Sequence, residues 1–414
     1  MNKIFNDNWQ IKTLGEVCET TSGGTPSRGN KSYYNGTIPW VKSGELNKGI
    51  IYDTEEKITE EAIKNSSAKI FPKGTLLIAL YGATIGKLAF LGVDAATNQA
   101  VCGIYQNENI DSKYIYNFLF HKKQDLVNQG IGGAQPNISQ TILKKLEIPL
   151  PPLETQQAIV SKIEELFSEL DKGIEDLKTA QQQLKTYRQS VLKWAFEGKL
   201  TNENVKDGEL PKGWEFMKLS NSSTLITKGA SPKWQGINYT DDENQVLFVT
   251  SENVRENFID ISKPKYLELS FNEKQKRSIL QKGDVLINIV GASIGRAAIF
   301  NLSVNANINQ AVSVVRLNEN INNKYLSFFL NSNKAFSYYN LNKVDVARAN
   351  LSLADIGNIE FGLPSLEEQV QIVQEIESRL SIADKMEESI AHSLLQAESL
   401  RQSILKKVFS GELV

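Results

Sequence analysis

The chain has 414 residues and a formal charge of −2, from 46 Lys+Arg against 48 Asp+Glu. That length allows about two to four domains at roughly 100–200 residues each, and the 41% hydrophobic content argues against a disordered chain. The near-neutral total argues against a simple cationic nucleic-acid binder, whose domain pI would exceed about 9.

The opening segment, MNKIFNDNWQ, lacks the apolar core of a signal peptide. No apolar run approaches the ~18–20 residues that span a bilayer; the best, around Leu76–Leu80, has strand length. Two cysteines, Cys18 and Cys102, are too few for a disulfide framework and suit a reducing compartment, so a cytoplasmic protein with no membrane partner is expected.

SGGTPSRGNK at 22–31 is rich in Gly, Ser and Thr, with Arg28 and Lys31 nearby. Such a loop can offer backbone N–H groups, hydroxyls and charge to phosphates. The triplet EEK at 55–57 has a nuclease-like acid-x-Lys form, but such triplets arise by chance in a chain with 23% charged residues. GATIGK at 82–87 has the look of a phosphate loop, yet three residues separate its glycines where a P-loop has four, and Leu88 follows the lysine where a P-loop has Ser or Thr. It reads as a tight turn between strands, with glycines at positive φ and a basic residue exposed nearby. NQAV at 98–101 offers Asn98 and Gln99, residue types that read adenine.

A helical stretch around Ser112–Gln129 precedes GGAQPNIS at 132–139, and Pro149, Pro151 and Pro152 stop regular structure before a long helix. In that helix Val160, Ile163, Phe167, Leu170, Ile174, Leu177, Leu184 and Val191 recur in a 3-4 pattern, the mark of a coiled coil.

The chain then repeats itself. Trp214 matches Trp9, TKGASP at 227–232 matches TSGGTP at 21–26, and QKGDVLINIVGASIGR at 281–296 matches PKGTLLIALYGATIGK at 72–87. NQAV returns at 309–312, LPSLEEQ at 363–369 matches LPPLETQ at 150–156, and RQSILKKVFSGEL at 401–413 matches RQSVLKWAFEGKL at 188–200. Because NQAV is shared by both copies, including Asn309 and Gln310, a structural role is preferred for it. The second helical pattern carries Val373, Ile376, Leu380, Ala383, Ile390, Leu394, Ala397, Ile404 and Val408. Each long helix is expected to run about 44 residues, roughly 65 Å at about 1.5 Å per residue, with Gly198 and Gly411 as left-handed caps.

The fold expected is α+β: two strand-rich globular blocks, 1–152 and 201–365, separated by two long antiparallel coiled-coil helices, 153–200 and 366–414, related by a pseudo-two-fold axis. The blocks carry net charges of +2 and +1, and the helical segments −1 and −4. The two histidines, His121 and His392, give a zinc site or a Ser–His–Asp relay little to work with, and both are expected to be solvated. Trp234, in the loop KGASPKWQG, is expected to be buried; packing on a sugar or an unstacked base is the alternative. GGAQPNIS and its counterpart DVARANLS at 345–352 differ, with Gln135 opposite Arg348; segments that read two different half-sites should differ in this way, and a plain solvated loop is the equal alternative.

The order and duplication of W-x₄-LGE (9–16), SGGTP, IPWVKSGELN (38–47), GATIGK, NQAV, LPPLETQ and RQSVLKWAFEGKL resemble the specificity subunit of a type I restriction–modification system over nearly the whole chain. The resemblance implies two target recognition domains, each reading one half of a split, asymmetric double-stranded DNA sequence. It implies helices that set the unread spacer, two docked modification (methyltransferase) subunits, and a restriction/motor subunit in the full complex. S-adenosylmethionine, ATP and Mg would sit on those partners, and this chain would have no catalytic residue, cofactor or metal of its own. Candidate DNA contacts are Ser22, Thr25, Arg28, Lys31, Lys42, Ser43, Lys87, Gln135 and Asn137 in the first block, and Lys228, Ser231, Lys233, Gln235, Ser251, Arg296, Arg348 and Asn350 in the second. The second block departs from the pattern in TKGASPKWQG and in Leu219–Ser220–Asn221, where LGE would stand. Phosphate neutralisation supplies much of DNA affinity, so such weakly charged blocks should bind weakly without partners. The competing expectations are an enzyme with unrecognised motifs and a coiled-coil scaffold that binds only proteins.

Overall fold

A computed structural model describes residues 8–47, 49–130, 137–202, 204–206, 208–344 and 349–412. Its two compact units are Met1–Leu177 with His392–Val414, and Lys178–Ala391. Both divisions fall inside 44-residue helices, Leu153–Phe196 and Leu366–Phe409. Each unit is thus one globular block plus a part of each helix. The blocks drawn from the sequence stop at the helix boundaries, whereas compactness carries the helix ends into the blocks.

The long helices start and stop as the repeat predicts. Pro151, Pro152 and Pro364 precede them, and a buried glutamine from each LETQ or LEEQ motif fixes the start. Gln156 Nε2 donates to the Pro151 carbonyl (2.8 Å) and its Oε1 accepts from the Asp111 N–H (3.0 Å). Gln369 does the same with Pro364 (3.1 Å) and Asn322 (2.7 Å). Asp111 and Asn322 are themselves N-caps of the helices Ser112–His121 and Asn323–Leu330, so one glutamine ties two helix starts together. At the far ends Gly198 (φ 74°) and Gly411 (φ 80°) take the left-handed conformation. Lys199 and Glu412 then donate back to the carbonyls of Trp194 (2.8 Å) and Lys407 (2.9 Å), closing the last turn.

In the first unit, Gln10–Thr13 pairs antiparallel with Glu147–Leu150 and brings the two ends of the block together. A five-stranded sheet has the order Thr20–Ser22, Val101–Ile104, Leu76–Ala79, Leu88–Leu91, Gly49–Ile51. A four-stranded sheet has the order Lys57–Ile58, Tyr34–Val41, Ala95–Thr97, Ile70–Phe71, with Tyr34–Val41 parallel to Ala95–Thr97. Leu76–Ala79 and Val101–Ile104 are buried at every residue, which is why they read as continuous apolar runs rather than alternating ones.

The second unit repeats this plan. Glu215–Lys218 pairs with Glu360–Leu363. One sheet runs Ser223–Lys228, Val312–Leu317, Val285–Asn288, Ala297–Ile299; the other runs Tyr239–Thr240, Tyr266–Leu267, Val246–Val249, Ala306–Ile308. Val246–Val249 again lies parallel to Ala306–Ile308.

None of Val160, Ile163, Phe167, Leu170, Ile174, Leu177, Leu184, Val191, Val373, Ile376, Leu380, Ile390, Leu394 or Ile404 is exposed. Their surroundings differ. Val160 and Ile163, with Ile159, Leu405, Val408 and Phe409, belong to the core of the first block. Val191, Val373 and Ile376, with Leu192, Ala195, Phe196 and Ile372, belong to that of the second. The 3-4 pattern shows which face is covered and not what covers it: the helix ends complete the globular cores, and the segments beyond them pair helix to helix. Helix segments meet within each unit: Arg401 pairs with Asp171 and lies over the Phe167 ring in the first. In the second, Arg188 pairs with Asp384 (2.7 Å) and Glu387 (2.8 Å), while Thr201 and Asn202 reach Glu368 (2.8 and 2.7 Å). The rising partner numbers against falling ones make this pair antiparallel. Among the described residues no helix is long and apolar enough to cross a membrane.

Candidate nucleic-acid interface

In each unit two clusters form around the sheet ends. The first joins the SGGTP-type loop to NQAV. Gly23 and Gly24 donate their N–H groups to the carbonyls of Val101 (3.1 Å) and Thr97 (2.9 Å). A Cβ on Gly23 would stand 2.1 Å from the Thr97 carbonyl oxygen, and one on Gly229 would stand 1.8 Å from that of Ile308. The paired glycines are therefore a requirement of close backbone approach, and their N–H groups are engaged within the protein rather than offered to phosphate. Thr25 donates to the Gln99 side chain, and Ser22 accepts from Gln140 Nε2. The first Asn of NQAV turns the chain: Val101 N–H reaches the Asn98 carbonyl (3.1 Å), and Val312 N–H reaches that of Asn309 (3.2 Å). Its recurrence in both copies is structural, as expected.

The second cluster is the GATIGK-type turn with the loop that ends at Asn137 or Asn350. Gly82, Gly86, Gly291 and Gly295 all have positive φ, at 60°, 75°, 80° and 87°. Short 3₁₀ turns, Gly82–Thr84 and Gly291–Ser293, join the flanking strands, so the phosphate-loop look is a turn. Asn137 bridges to Tyr81 and Asn350 to Val290, the residues that lead into the turns ahead of Lys87 and Arg296. Ser251 lies near the same turn in the second unit, its carbonyl accepting from Asn288 Nδ2 (3.0 Å). Ser43 opens the 3₁₀ turn Ser43–Glu45. Gln135 and Arg348 lie outside the described residues.

The candidate cations fall into two groups. Arg28 and Lys42 converge on Glu56. Arg28 binds it through both terminal nitrogens (2.6 and 3.3 Å) and lies over the rings of Tyr34 (4.7 Å) and Trp40 (5.1 Å). Lys42 binds Glu55 (2.9 Å) and Glu56 (3.2 Å). The Arg28 guanidinium holds the Glu56 carboxyl below its ordinary range, and the bonds from Glu55 and Glu56 raise Lys42. These carboxylates, which the sequence offered only as the chance triplet EEK, already pair with two predicted phosphate contacts. Lys31, Lys87, Lys228, Lys233 and Arg296 make no ion pair among the described residues and keep their full charge for a ligand. Ser231 is half-buried, and the Gln235 carbonyl accepts from Lys274 Nζ (2.7 Å).

Three expectations need correction. Trp234 is 88% exposed, not buried. His121 is half-buried and stacks on Phe409, with ring centroids 5.7 Å apart; only His392 is solvated. The loop N–H groups of Gly23 and Gly24 are not free. Both cysteines are buried, and desolvation pushes each thiol up to about 11.

The model of the type I restriction modification DNA specificity domain matches the chain twice, over residues 6–179 and 211–393. The EcoBI type I restriction enzyme specificity subunit of Escherichia coli is 30% identical over 337 residues, covering 77% of this chain and 69% of that protein. The EcoKI specificity subunit of Escherichia coli strain K12 is 27% identical over 98% of this chain and 89% of its own length. A chain from a structure of the type I R-M system, described for its complex assembly and conformational transition, shares the fold with a TM-score of 0.73 and 21% identity over 99% of both chains. The two matched segments correspond to the two copies of the repeat, and the chain belongs to the family of type I restriction–modification specificity subunits.

Proposed function

We propose that this chain is the non-catalytic sequence-recognition subunit of its complex, each globular block reading one half of a split, asymmetric DNA target. One observation carries this reading: the two units repeat the residues that cap, clamp and pair the frame, while the exposed loops on that frame differ. Gln156 and Gln369, Gly198 and Gly411, and the ion pairs Lys113–Glu164 (2.6 Å) and Lys324–Glu377 (2.5 Å) occupy matching places. Two identical modification subunits need matching surfaces, which the frame supplies. Two different half-sites need different ones, which the loops supply through uncommitted cations at Lys31 and Lys87 in one unit and Lys228, Lys233 and Arg296 in the other. The methyl donor, ATP and Mg belong to the partner subunits, and the motor/nuclease subunit to the full complex.

The continuous 44-residue helices serve as the ruler for the unread spacer. Mapping methylated sites genome-wide, with and without this chain, should give one bipartite target that disappears with it. Exchanging residues 1–152 for the equivalent block of a relative should change one half-site only, and a change in both halves would refute the modular reading. Inserting four residues after Lys178 should alter the spacing or abolish methylation, and unaltered spacing in the assembled complex would remove the ruler.

A further inference from the structure

Trp234 stands apart from the other described tryptophans. Trp40 is 1% exposed, Trp214 8% and Trp194 39%, against 88% for Trp234. It is the middle residue of the 3₁₀ turn Lys233–Gln235, and that turn is firmly held. The Pro232 carbonyl accepts from Gln235 N–H (2.9 Å) and Ile237 N–H (3.0 Å), Gly236 closes the turn at φ 66°, and Lys274 Nζ holds the Gln235 carbonyl (2.7 Å). Ile237 anchors the segment in a small core with Phe248 and Phe271. A fixed backbone thus presents a large apolar ring that touches no other ring and no cation among the described residues.

The repeat sharpens this. In the register that aligns TSGGTP with TKGASP, Trp234 stands where the first unit has Arg28. The register is structural as well, since Gly23 donates to Val101 and Gly229 to Val312, matching residues of NQAV. Arg28 is folded back on Tyr34, Trp40 and Glu56; Trp234 has no such partners. Lys233 directly precedes it in the turn and Lys228 lies six residues earlier at the end of strand Ser223–Lys228, both exposed and without an ion pair among the described residues. The nearest acids along the chain, Asp241–Glu243, lie beyond strand Tyr239–Thr240, and Asp242 is engaged with Asn244 and Gln245. A rigid apolar ring whose turn carries a free cation suits a polyanion with apolar faces.

We propose that Trp234 is an apolar anchor of the second unit on its DNA half-site, the indole packing against the duplex while Lys228 and Lys233 hold the neighbouring phosphates. This rests on the DNA-recognition reading above. An aromatic contact of this kind is lost without changing the number of counterions released, whereas a lysine contact is lost together with about one unit of salt slope.

The test uses the tagged full chain purified with its bound methyltransferase subunits, and a duplex carrying the target found by methylation mapping. W234A should weaken binding roughly 5- to 150-fold with an unchanged salt slope. W234F should keep most of the affinity, and K233A should lower the slope by about one. Thermal unfolding of W234A should match the parent, because the residue is 88% exposed and its ring touches no other ring and no cation among the described residues. Binding by W234A within about twofold of the parent would overturn the proposal, as would a salt slope that falls as it does for K233A. Loss of the methyltransferase subunits from W234A would assign the ring to a protein interface instead. If the parent complex itself shows no sequence-specific binding, the recognition reading fails, and that outcome is separate from the Trp234 result.

Discussion

The two units solve the same packing problem with different chemistry at one matched pair of positions. In the first unit Thr75 donates to the Pro72 carbonyl (2.7 Å), and Tyr105 packs on Phe71 with centroids 5.7 Å apart. In the second unit the repeat places Asp284 and Arg316 there. Asp284 is 1% exposed, bonded by Arg316 Nε and Nη2 at 2.8 Å each and by the Gln281 N–H at 2.7 Å. The aromatic plug is the same in both: Phe196 packs on Tyr325 and Phe329 (5.3 and 5.2 Å) as Phe409 packs on Tyr114 and Phe118 (5.3 and 5.4 Å). Duplication has kept the residues whose geometry the frame requires, namely caps, clamps and the aromatic plug. It has let an apolar and hydroxyl pair and an ion pair substitute for each other.

Breaking that pair should give the largest effect. D284A leaves Arg316 without its carboxylate and is expected to cost about 3–5 kcal/mol, whereas T75A removes one hydrogen bond worth about 1 kcal/mol. Urea denaturation of the two variants checks the contrast. The double variant D284T/R316Y removes both charges together and should recover part of the loss, because no unpaired charge is left behind. Equal losses for D284A and T75A would show that the two positions do not hold their units in the same way.

The second contrast lies at the surface. The first unit restrains Arg28 and Lys42 with Glu55 and Glu56, while Lys228 and Lys233 of the second unit are unrestrained. E56Q should release charge in the first unit, tightening non-specific DNA binding a few-fold and steepening the salt dependence of the assembled complex by about one unit. A salt slope identical to that of the parent would mean that Glu56 does not compete with phosphate.

Much of the frame was legible in the sequence because it is local. Helix length, proline stops, glycine caps and the GATIGK turn follow from spacing and backbone preference, and the duplication doubled each signal. The misreadings have a common physical origin in contacts between distant segments. His121 looked solvated in the run HKK, yet Phe409 from the far end of the chain covers it. Periodicity reports a covered face and is silent about the partner, so it did not mark where the pairing of the long helices gives way to packing on the blocks. Gly23 and Gly24 looked like phosphate donors until Val101 and Thr97 took their N–H groups. That Arg28 and Lys42 meet Glu55 and Glu56 was likewise not legible, because the sequence offered those acids only as the triplet EEK. Trp234 erred the other way: burial is the usual fate of tryptophan, and only its tight, pinned turn holds it in solvent.

The smallest expected effect also separates the units. His121 aligns with Ser332, which caps the helix Asn333–Asn342 in the second unit and does not titrate. His121 stacks on Phe409 with Nδ1 buried and unpartnered. Burial, reinforced by Lys122 and Lys406 and opposed by Asp125, lowers its pKa from the ordinary value near 6.5. Below about 6.5 the unfolded chain therefore binds more protons at this site than the folded one. The stability that the neutral ring contributes is present above that pH and is lost as pH falls through the folded-state value. H121F keeps an aromatic ring against Phe409 and removes the proton site. Between pH 7.5 and 5 the melting temperature of the parent should fall by roughly one to a few degrees more than that of H121F. Parallel pH profiles for the two proteins would show that the ring is solvated after all and that the units do not differ in this respect.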